Sequence, residues 1–323
     1  MSGFWPGRRV LLTGGGGFLG TFIRQRLERE QPAAILAPRK QELDLRDAAA
    51  VRAYLAAQKP DIIIHAAAVV GGIGANQKHP GSFFYENAIM GIQLIEEARL
   101  AGVAKFVCLG TICAYPKFAP IPFREDDLWN GYPEETNAAY GIAKKALLVQ
   151  LQAYRQEYGF NGIFLLPVNL YGPGDNFDLE SSHVIPAMIR KFVDAKELRR
   201  PTVTLWGDGT PTREFLYAAD AADGIVAAAS RYDGADPVNL GSGKEISIKD
   251  LAETIRHLVG YEGNVEWDST KPNGQPNRRL DVSRAAREFG FQSQTSFAGG
   301  LAATIEWFNG HRNQQRGSDE VSQ

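Results

Sequence analysis

Residues 10–20 limit what this chain can fold into more than any other stretch. Val10 to Thr13 is a short apolar run. Gly14-Gly15-Gly16-Gly17-Phe18-Leu19-Gly20 follows without a spacer, and an amphipathic segment runs from Thr21 to Arg29. Strand, glycine turn and helix stand in immediate succession. Gly14, Gly17 and Gly20 carry the G-x-x-G-x-x-G spacing, which supplies a tight turn, close backbone approach to a pyrophosphate and close helix packing. A glycine-rich loop alone is a modest signal, but between a first strand and a helix it points to a dinucleotide.

The rest of the chain extends that unit. A second strand, Ala34 to Ala37, ends in Pro38-Arg39-Lys40. An acidic residue here would bind the ribose hydroxyls of NAD, whereas this basic loop suits the 2′-phosphate of NADP. The plainer reading is a solvated basic turn. Leu43-Asp44-Leu45-Arg46-Asp47 leads into a helix, Ala48 to Gln58. Pro60 to Ala68 then reads as a buried strand whose small terminal residues, Ala66 and Ala67 among them, let a cofactor lie close. His65 reads as a packed strand-end residue rather than a catalyst. A helix over Phe83 to Ala101, a strand over Lys105 to Leu109, a helix opening near Thr136 and Asn137 and running to about Tyr158, and a strand from Ile163 follow. The alternation predicts an α/β fold, a doubly wound parallel sheet of the Rossmann type.

From Gly172 the loops lengthen and the elements shorten. A smaller, interleaved C-terminal lobe for substrate is expected over residues 171–310, with the dinucleotide-binding part in 1–170 and a frayed polar tail over 311–323. Within the second part Ser181 to Pro186 opens an apolar helix running to Ala195, and the pattern places strands at Val203–Gly207 and Thr212–Tyr217 and a helix over Ala221–Tyr232. The strand Val238–Leu240 is expected to rejoin the main sheet. An amphipathic helix over Ile248–Val259 should bury Leu251, Ile255, Leu258 and Val259, and a last helix covers Phe297–Asn309.

Composition excludes several classes. With 44% hydrophobic residues and a net charge of -2 over 323 residues, neither a nucleic-acid surface nor a membrane surface is indicated. No apolar run approaches the roughly 20 residues that span a bilayer, and the N-terminus enters a strand without a charged leader and apolar core. Two cysteines, Cys108 and Cys113, are too few for a disulfide framework and lack metal-ligand spacing. No metal is expected, and a cytoplasmic protein is.

The chemistry centres on Asn137-Ala138-Ala139-Tyr140-Gly141-Ile142-Ala143-Lys144. Tyr140 and Lys144, four residues apart, stack on one helix face. A free phenol ionises only near pH ~10, and an ammonium group one turn away favours the phenolate. Thr111 and Cys113 lie just past the strand Lys105–Leu109, at the ligand edge of the sheet.

Together the glycine motif, Thr111, Tyr140 and Lys144 resemble an extended short-chain dehydrogenase/reductase. More narrowly, Val70-Gly71-Gly72-Ile73 with Ala75-Asn76, Cys113 with Tyr115-Pro116-Lys117, and Pro133 to Asn137 resemble the GDP-L-fucose synthase family. So do Asn169 to Pro173 with Asp175-Asn176-Phe177, Ser182 to Pro186, Trp206-Gly207, Arg213 to Leu216, Lys271-Pro272 and Leu280-Asp281-Val282. The resemblance spans the chain to about residue 310. It implies NADPH-dependent conversion of GDP-4-keto-6-deoxy-D-mannose to GDP-L-fucose, with C3 and C5 epimerised and C4 reduced.

By that resemblance Thr111 and Tyr140 hold the ketone oxygen, Cys113 is the base, His183 the acid, and Lys144 supports Tyr140. NADP(H) is expected, in preference to NAD(H), against Gly14, Gly17, Phe18, Leu19, Gly20, Arg39, Lys40, Asp44 and Leu45. Ala66, Ala67, Leu109, Gly110, Tyr140, Lys144, Pro167, Asn169, Leu170 and His183 complete that set. The GDP-sugar is expected against Asn169, Lys191, Trp206, Arg213 and Arg278. Cys113 as a plain core residue, His183 as a helix cap and Trp206 as core are the rival readings. Four departures from the family stand out: Thr111-Ile112 replace two serines, Val69 a lysine, Gly16 an arginine, and Lys191 often an arginine. A sister GDP-sugar, such as a heptose, or another nucleotide would fit these departures. A reductase or epimerase of single function and a non-catalytic dinucleotide sensor are the alternatives. A homodimer through the helices Phe83–Ala101 and Ala138–Tyr158 is expected by analogy.

Overall fold

Strands from both halves of the sequence meet in one parallel sheet. The computed structural model describes residues 3–319 apart from Pro272 and Gly274, so Pro272 of the Lys271-Pro272 pair lies outside the described residues, as do 320–323 of the tail. Along the first half the elements are β1 (Arg9–Thr13), α1 (Phe18–Glu30), β2 (Ala34–Leu36), α2 (Ala48–Gln58) and β3 (Ile62–His65). Then come α3 (Ile73–Lys78), α4 (Pro80–Leu100), β4 (Lys105–Leu109), α5 (Ala138–Tyr158) and β5 (Gly162–Pro167). The second half adds β6 (Asn169–Tyr171), α6 (Val184–Glu197), β7 (Thr202–Trp206), β8 (Thr212–Tyr217), α7 (Ala218–Arg231) and β9 (Val238–Leu240). It closes with β10 (Glu245–Ser247), α8 (Ile248–Val259), β11 (Asn264–Asp268), α9 (Ser283–Phe289) and α10 (Phe297–Asp319).

The six-stranded sheet has the order β2-β1-β3-β4-β5-β9, and each pairing is parallel. Ile62, Ile63 and Ile64 are wholly buried; a strand covered on both faces has no solvent side to make polar, so the run is continuous rather than alternating. Strand order reverses between β1 and β3, and their carboxyl ends open the crevice where such sheets take ligands. A three-stranded sheet β10-β8-β6 and a two-stranded sheet β11-β7 lie beside it. They share a second apolar cluster with α6, α8 and α10, built on Ile189, Phe192, Leu251, Ile255 and Leu301.

Local chemistry sets the helix ends. The Asp47 carboxylate accepts from the Ala49 and Ala50 amides and caps α2. Pro80 stands in the first turn of α4, where its missing N–H is no loss. The expected caps of α5 are otherwise engaged. Asn137 makes no side-chain cap bond; it and Thr136 both donate to the carboxylate of Glu134.

Several expectations change. Leu258 is 36% exposed, so only Leu251, Ile255 and Val259 of the predicted α8 face are buried. The last helix continues past Asn309 to Asp319. The chain also leaves the main sheet at Val168, so Asn169–Tyr171 pairs with β8 instead of prolonging β5. Strands β10 and β11 and helices α3 and α9 carry too little periodicity to stand out. Among the described residues no helix is long and apolar enough to cross a membrane, and no group of three His, Cys, Asp or Glu is placed to hold a metal.

Candidate active site

Each residue singled out for cofactor, substrate or chemistry lines one cleft of about 1170 Å³. The cleft runs along the carboxyl edge of the parallel sheet and ends against α6, β7 and β8.

Its floor is backbone. Gly14 turns with φ +72°, and a Cβ there would stand 2.7 Å from the Ala67 nitrogen. Glycine is therefore required both for the left-handed turn and for the close pass of the chain after β3. The Gly17 amide donates to the Gly14 carbonyl at 2.9 Å and closes the loop. Thr13 Oγ1 meets His65 Nδ1 at 2.8 Å and receives the Ala67 amide at 3.4 Å. His65 is buried, and burial first, then Lys144, drives its ring down to about 3. It stays neutral and structural.

The basic loop reaches the same floor. Arg39 Nη1 donates to the Gly16 carbonyl at 3.4 Å, and a side chain at 16 would run into that guanidinium. The arginine missing from position 16 thus has a counterpart delivered from the end of β2. Arg46, which the sequence reading passed over, also lines the cleft; it holds Asp44 through bonds of 2.7 and 2.9 Å and pulls that carboxyl down to about 2. A glycine cradle that admits backbone only, beside Arg39 and Lys40, fits the pyrophosphate and 2′-phosphate of NADP.

Above that floor stand Thr111, Cys113, Tyr140 and Lys144. A Cβ at Gly141 would collide with the Cys113 carbonyl oxygen, so the glycine after Tyr140 lets α5 press directly on the turn carrying Thr111 and Cys113. Thr111 Oγ1 accepts the Cys113 amide at 3.2 Å and is hydrogen-bonded to the Tyr140 hydroxyl. The expected lowering of the phenol by Lys144 is not what this arrangement gives. Burial, then Cys113, raises Tyr140, and burial lowers Lys144. Lys144 is buried and the half-buried Tyr140 is closely surrounded by protein, so each favours its neutral form and the phenol keeps its proton.

His183, which lines the same cleft, precedes α6 in extended backbone and makes no cap bond. The cap reading therefore has no support. Its surface is open to the cleft, yet protein surrounds the ring closely enough to lower its basicity by desolvation. Asp175 lies nearby in sequence, is 7% exposed, and accepts the Asn176 amide at 2.7 Å. Its Oδ2 and the Ser182 hydroxyl are both buried without a partner, and burial lifts the Asp175 carboxyl to about 7. Neither residue was singled out for a role from the sequence, because an unmet hydrogen bond leaves no mark there.

The far end is cationic. Lys191 Nζ donates to the Thr204 carbonyl at 2.9 Å. Trp206 is 56% exposed, which removes the reading of it as core, and Lys271 Nζ lies 5.6 Å from its ring centroid. Arg213 is pushed down to about 10 by burial and by the neighbouring Arg278. Arg278 itself is buried beside Cys113, with Nη1 3.7 Å from Sγ.

Residues 10–241 match the model of the NAD dependent epimerase/dehydratase family. The chain belongs to that family. It is 43% identical over 302 residues to the GDP-L-fucose synthase of Sinorhizobium fredii, covering 94% of this chain and 96% of the relative. Among solved structures it is similar to a GDP-6-OMe-4-keto-L-xylo-heptose reductase from C. jejuni, with a TM-score of 0.90 and 26% identity over 96% of this chain and all of that one. It is also similar to a GDP-L-fucose synthetase from Naegleria fowleri bound to NADP, with a TM-score of 0.87 and 27% identity, covering 97% of each chain. The likeness to GDP-L-fucose synthases read from scattered motifs is thus met along nearly the whole length.

Proposed function

We propose that this protein is an NADPH-dependent nucleotide-sugar 3,5-epimerase and 4-reductase that converts GDP-4-keto-6-deoxy-D-mannose to GDP-L-fucose. The observation that carries the reading is that one cleft holds both the reductase set, Thr111, Tyr140 and Lys144, and an acid–base pair, Cys113 and His183. The 43% identical synthase supports the same conclusion.

Hydrogens beside a ketone are acidic because the carbanion spreads onto oxygen as an enolate, provided donors hold that oxygen. Thr111 and Tyr140 are those donors. The Cys113 thiolate removes the carbon-bound proton from one face, the bonding pair moves into the enolate, and His183 returns a proton to the opposite face, inverting the carbon. Gly14, Gly17, Arg39 and Lys40 would hold NADPH, which supplies a hydride to C4 when bound. Tyr140, which holds its proton in this site, then gives it to the C4 oxygen. Lys191, Arg213 and Arg278 offer positive charge to the diphosphate, and Trp206 an exposed face to the base. Residues up to about 170 serve mainly the cofactor and those from 171 to 310 mainly the substrate.

A second reading, reduction of a 4-keto sugar without epimerisation, has the likeness to the heptose reductase in its favour. Loss of reduced-cofactor absorbance on addition of GDP-4-keto-6-deoxymannose tests the substrate. Turnover confined to a heptose analogue would contradict the leading reading. A non-catalytic sensor would have no use for the complete proton-transfer set, and it predicts no turnover at all.

Two further features belong to the proposal. Both cysteines are free thiols, in keeping with a reducing, cytoplasmic setting. Helices α4 and α5 pack side by side and leave Tyr85, Ile92 and Val149 exposed, a face suited to a second copy of this chain. Light scattering should give the mass of a dimer; a monomer would refute the pairing.

A further inference from the structure

Arg278 does more beside the cleft than offer charge to a phosphate. It is buried, with 8% exposure, and among the described residues no carboxylate pairs with it. Its guanidinium is fixed from behind: Nε donates to Gln275 Oε1 at 2.7 Å, and Gln275 Nε2 donates to the Lys117 carbonyl at 2.7 Å. Lys117 lies just beyond the turn that carries Cys113. The chain segment is held as well, because Arg213 Nη2 donates to the Asn273 carbonyl at 3.2 Å. From that anchored position Nη1 donates to Cys113 Sγ at 3.7 Å.

We propose that Arg278 is a positioning residue for Cys113, holding the sulfur as a thiolate turned into the cleft before substrate arrives. The inference rests on the reading of Cys113 as the proton-abstracting base. A buried guanidinium without a carboxylate is costly unless some anion meets it. A thiol is a weak acceptor, whereas a thiolate gives that cation its counter-charge. The other charged and titratable groups around the sulfur do not compete for this role. Tyr140 on α5 is neutral, Arg213 on β8 is a second cation, and Glu134, held by Thr136 and Asn137, sets its charge against Arg213. Lys144 lies behind Tyr140 with the buried thiol of Cys108. The state that balances the local charge is Cys113 ionised against Arg278. It is also the state that can take a proton from carbon without a separate base.

The test uses the full chain without substrate. The rate of Cys113 alkylation by iodoacetamide is followed against pH in the unaltered protein and in Arg278→Gln. The midpoint of the profile reports ionisation, and its plateau reports access. Loss of a contacting cation should move the midpoint upward by about one unit, which is tenfold in thiolate at a pH below both midpoints. A midpoint that stays in place overturns the proposal. Cys108, wholly buried, serves as the internal control for folding. If Arg278→Gln exposes Cys108, Gln275→Leu carries the test: it keeps the guanidinium, removes its anchor, and should raise the midpoint too, with no movement again overturning the idea. Deuterium exchange into the sugar that persists in Cys113→Ser would instead remove Cys113 as base and leave the alkylation result standing.

Discussion

Tyr140 shows how a side chain can be placed by sequence and charged by structure. The four-residue step to Lys144 fixes both on one face of α5. The state of the phenol follows from burial and then from Cys113, which raise it against the opposing bond to Thr111. Tyr140→Phe keeps the ring and removes the proton, so we expect a loss of roughly 10²–10⁴ in turnover with the thermal midpoint little changed; cofactor oxidation and a melting curve check the two halves. Asp175 makes a second claim at this scale. Its carboxyl titrates near 7 when folded and near 3.8 when unfolded. The folded state therefore binds more protons between those values, and stability is lost as pH rises through the upper one. Asp175→Asn has no such term. It should melt higher than the unaltered protein at alkaline pH and gain little below pH ~4, as scanning calorimetry at two pH values would show. Residues of this kind stay hidden in a sequence. Arg278 and Cys113 stand 165 positions apart, and neither periodicity nor spacing links them.

At the scale of elements, small residues decide how closely parts approach. The strand–glycine–helix unit was legible because its spacing is local, and so was the alternation that follows it. The switch of the chain from the main sheet to the β6–β8 pair was not, since Val168 looks like one more residue of a continuous apolar run. Gly141 is the sharpest case. A methyl group there would meet the Cys113 carbonyl, so Gly141→Ala should lift α5 off the turn. We expect a cost of about 1–3 kcal/mol in stability and a larger loss of epimerisation than of cofactor binding. A calorimetric titration with NADPH beside a deuterium-exchange assay would read both. The His65–Thr13 bond ties β3 to β1 at the head of the crevice. The unfolded chain takes up a proton there near pH 6.5 and the folded one only near 3, so stability falls on acidification across that window. His65→Asn should flatten that acid slope; an unchanged slope would assign acid unfolding elsewhere.

Among the described residues, two apolar clusters and three sheets enclose one elongated cleft, basic beside Arg39 and Lys40 and again beside Lys191, Arg213 and Arg278. Thr111, Tyr140 and Lys144, the proposed reductase set, stand above the glycine floor, and Cys113 and His183, the proposed acid–base pair, line the same cleft. Inversion of a carbon requires a base and an acid within reach of one site. The central claim is that both chemistries occur in this one site. Running the reaction in deuterium oxide with GDP-4-keto-6-deoxymannose and NADPH, and examining the product by mass spectrometry and NMR, tests it most directly. We predict deuterium at C3 and at C5 of a C4-reduced sugar, with exchange lost in Cys113→Ser. A reduced product carrying only hydrogen at both carbons would contradict the epimerase half and leave a simple reductase.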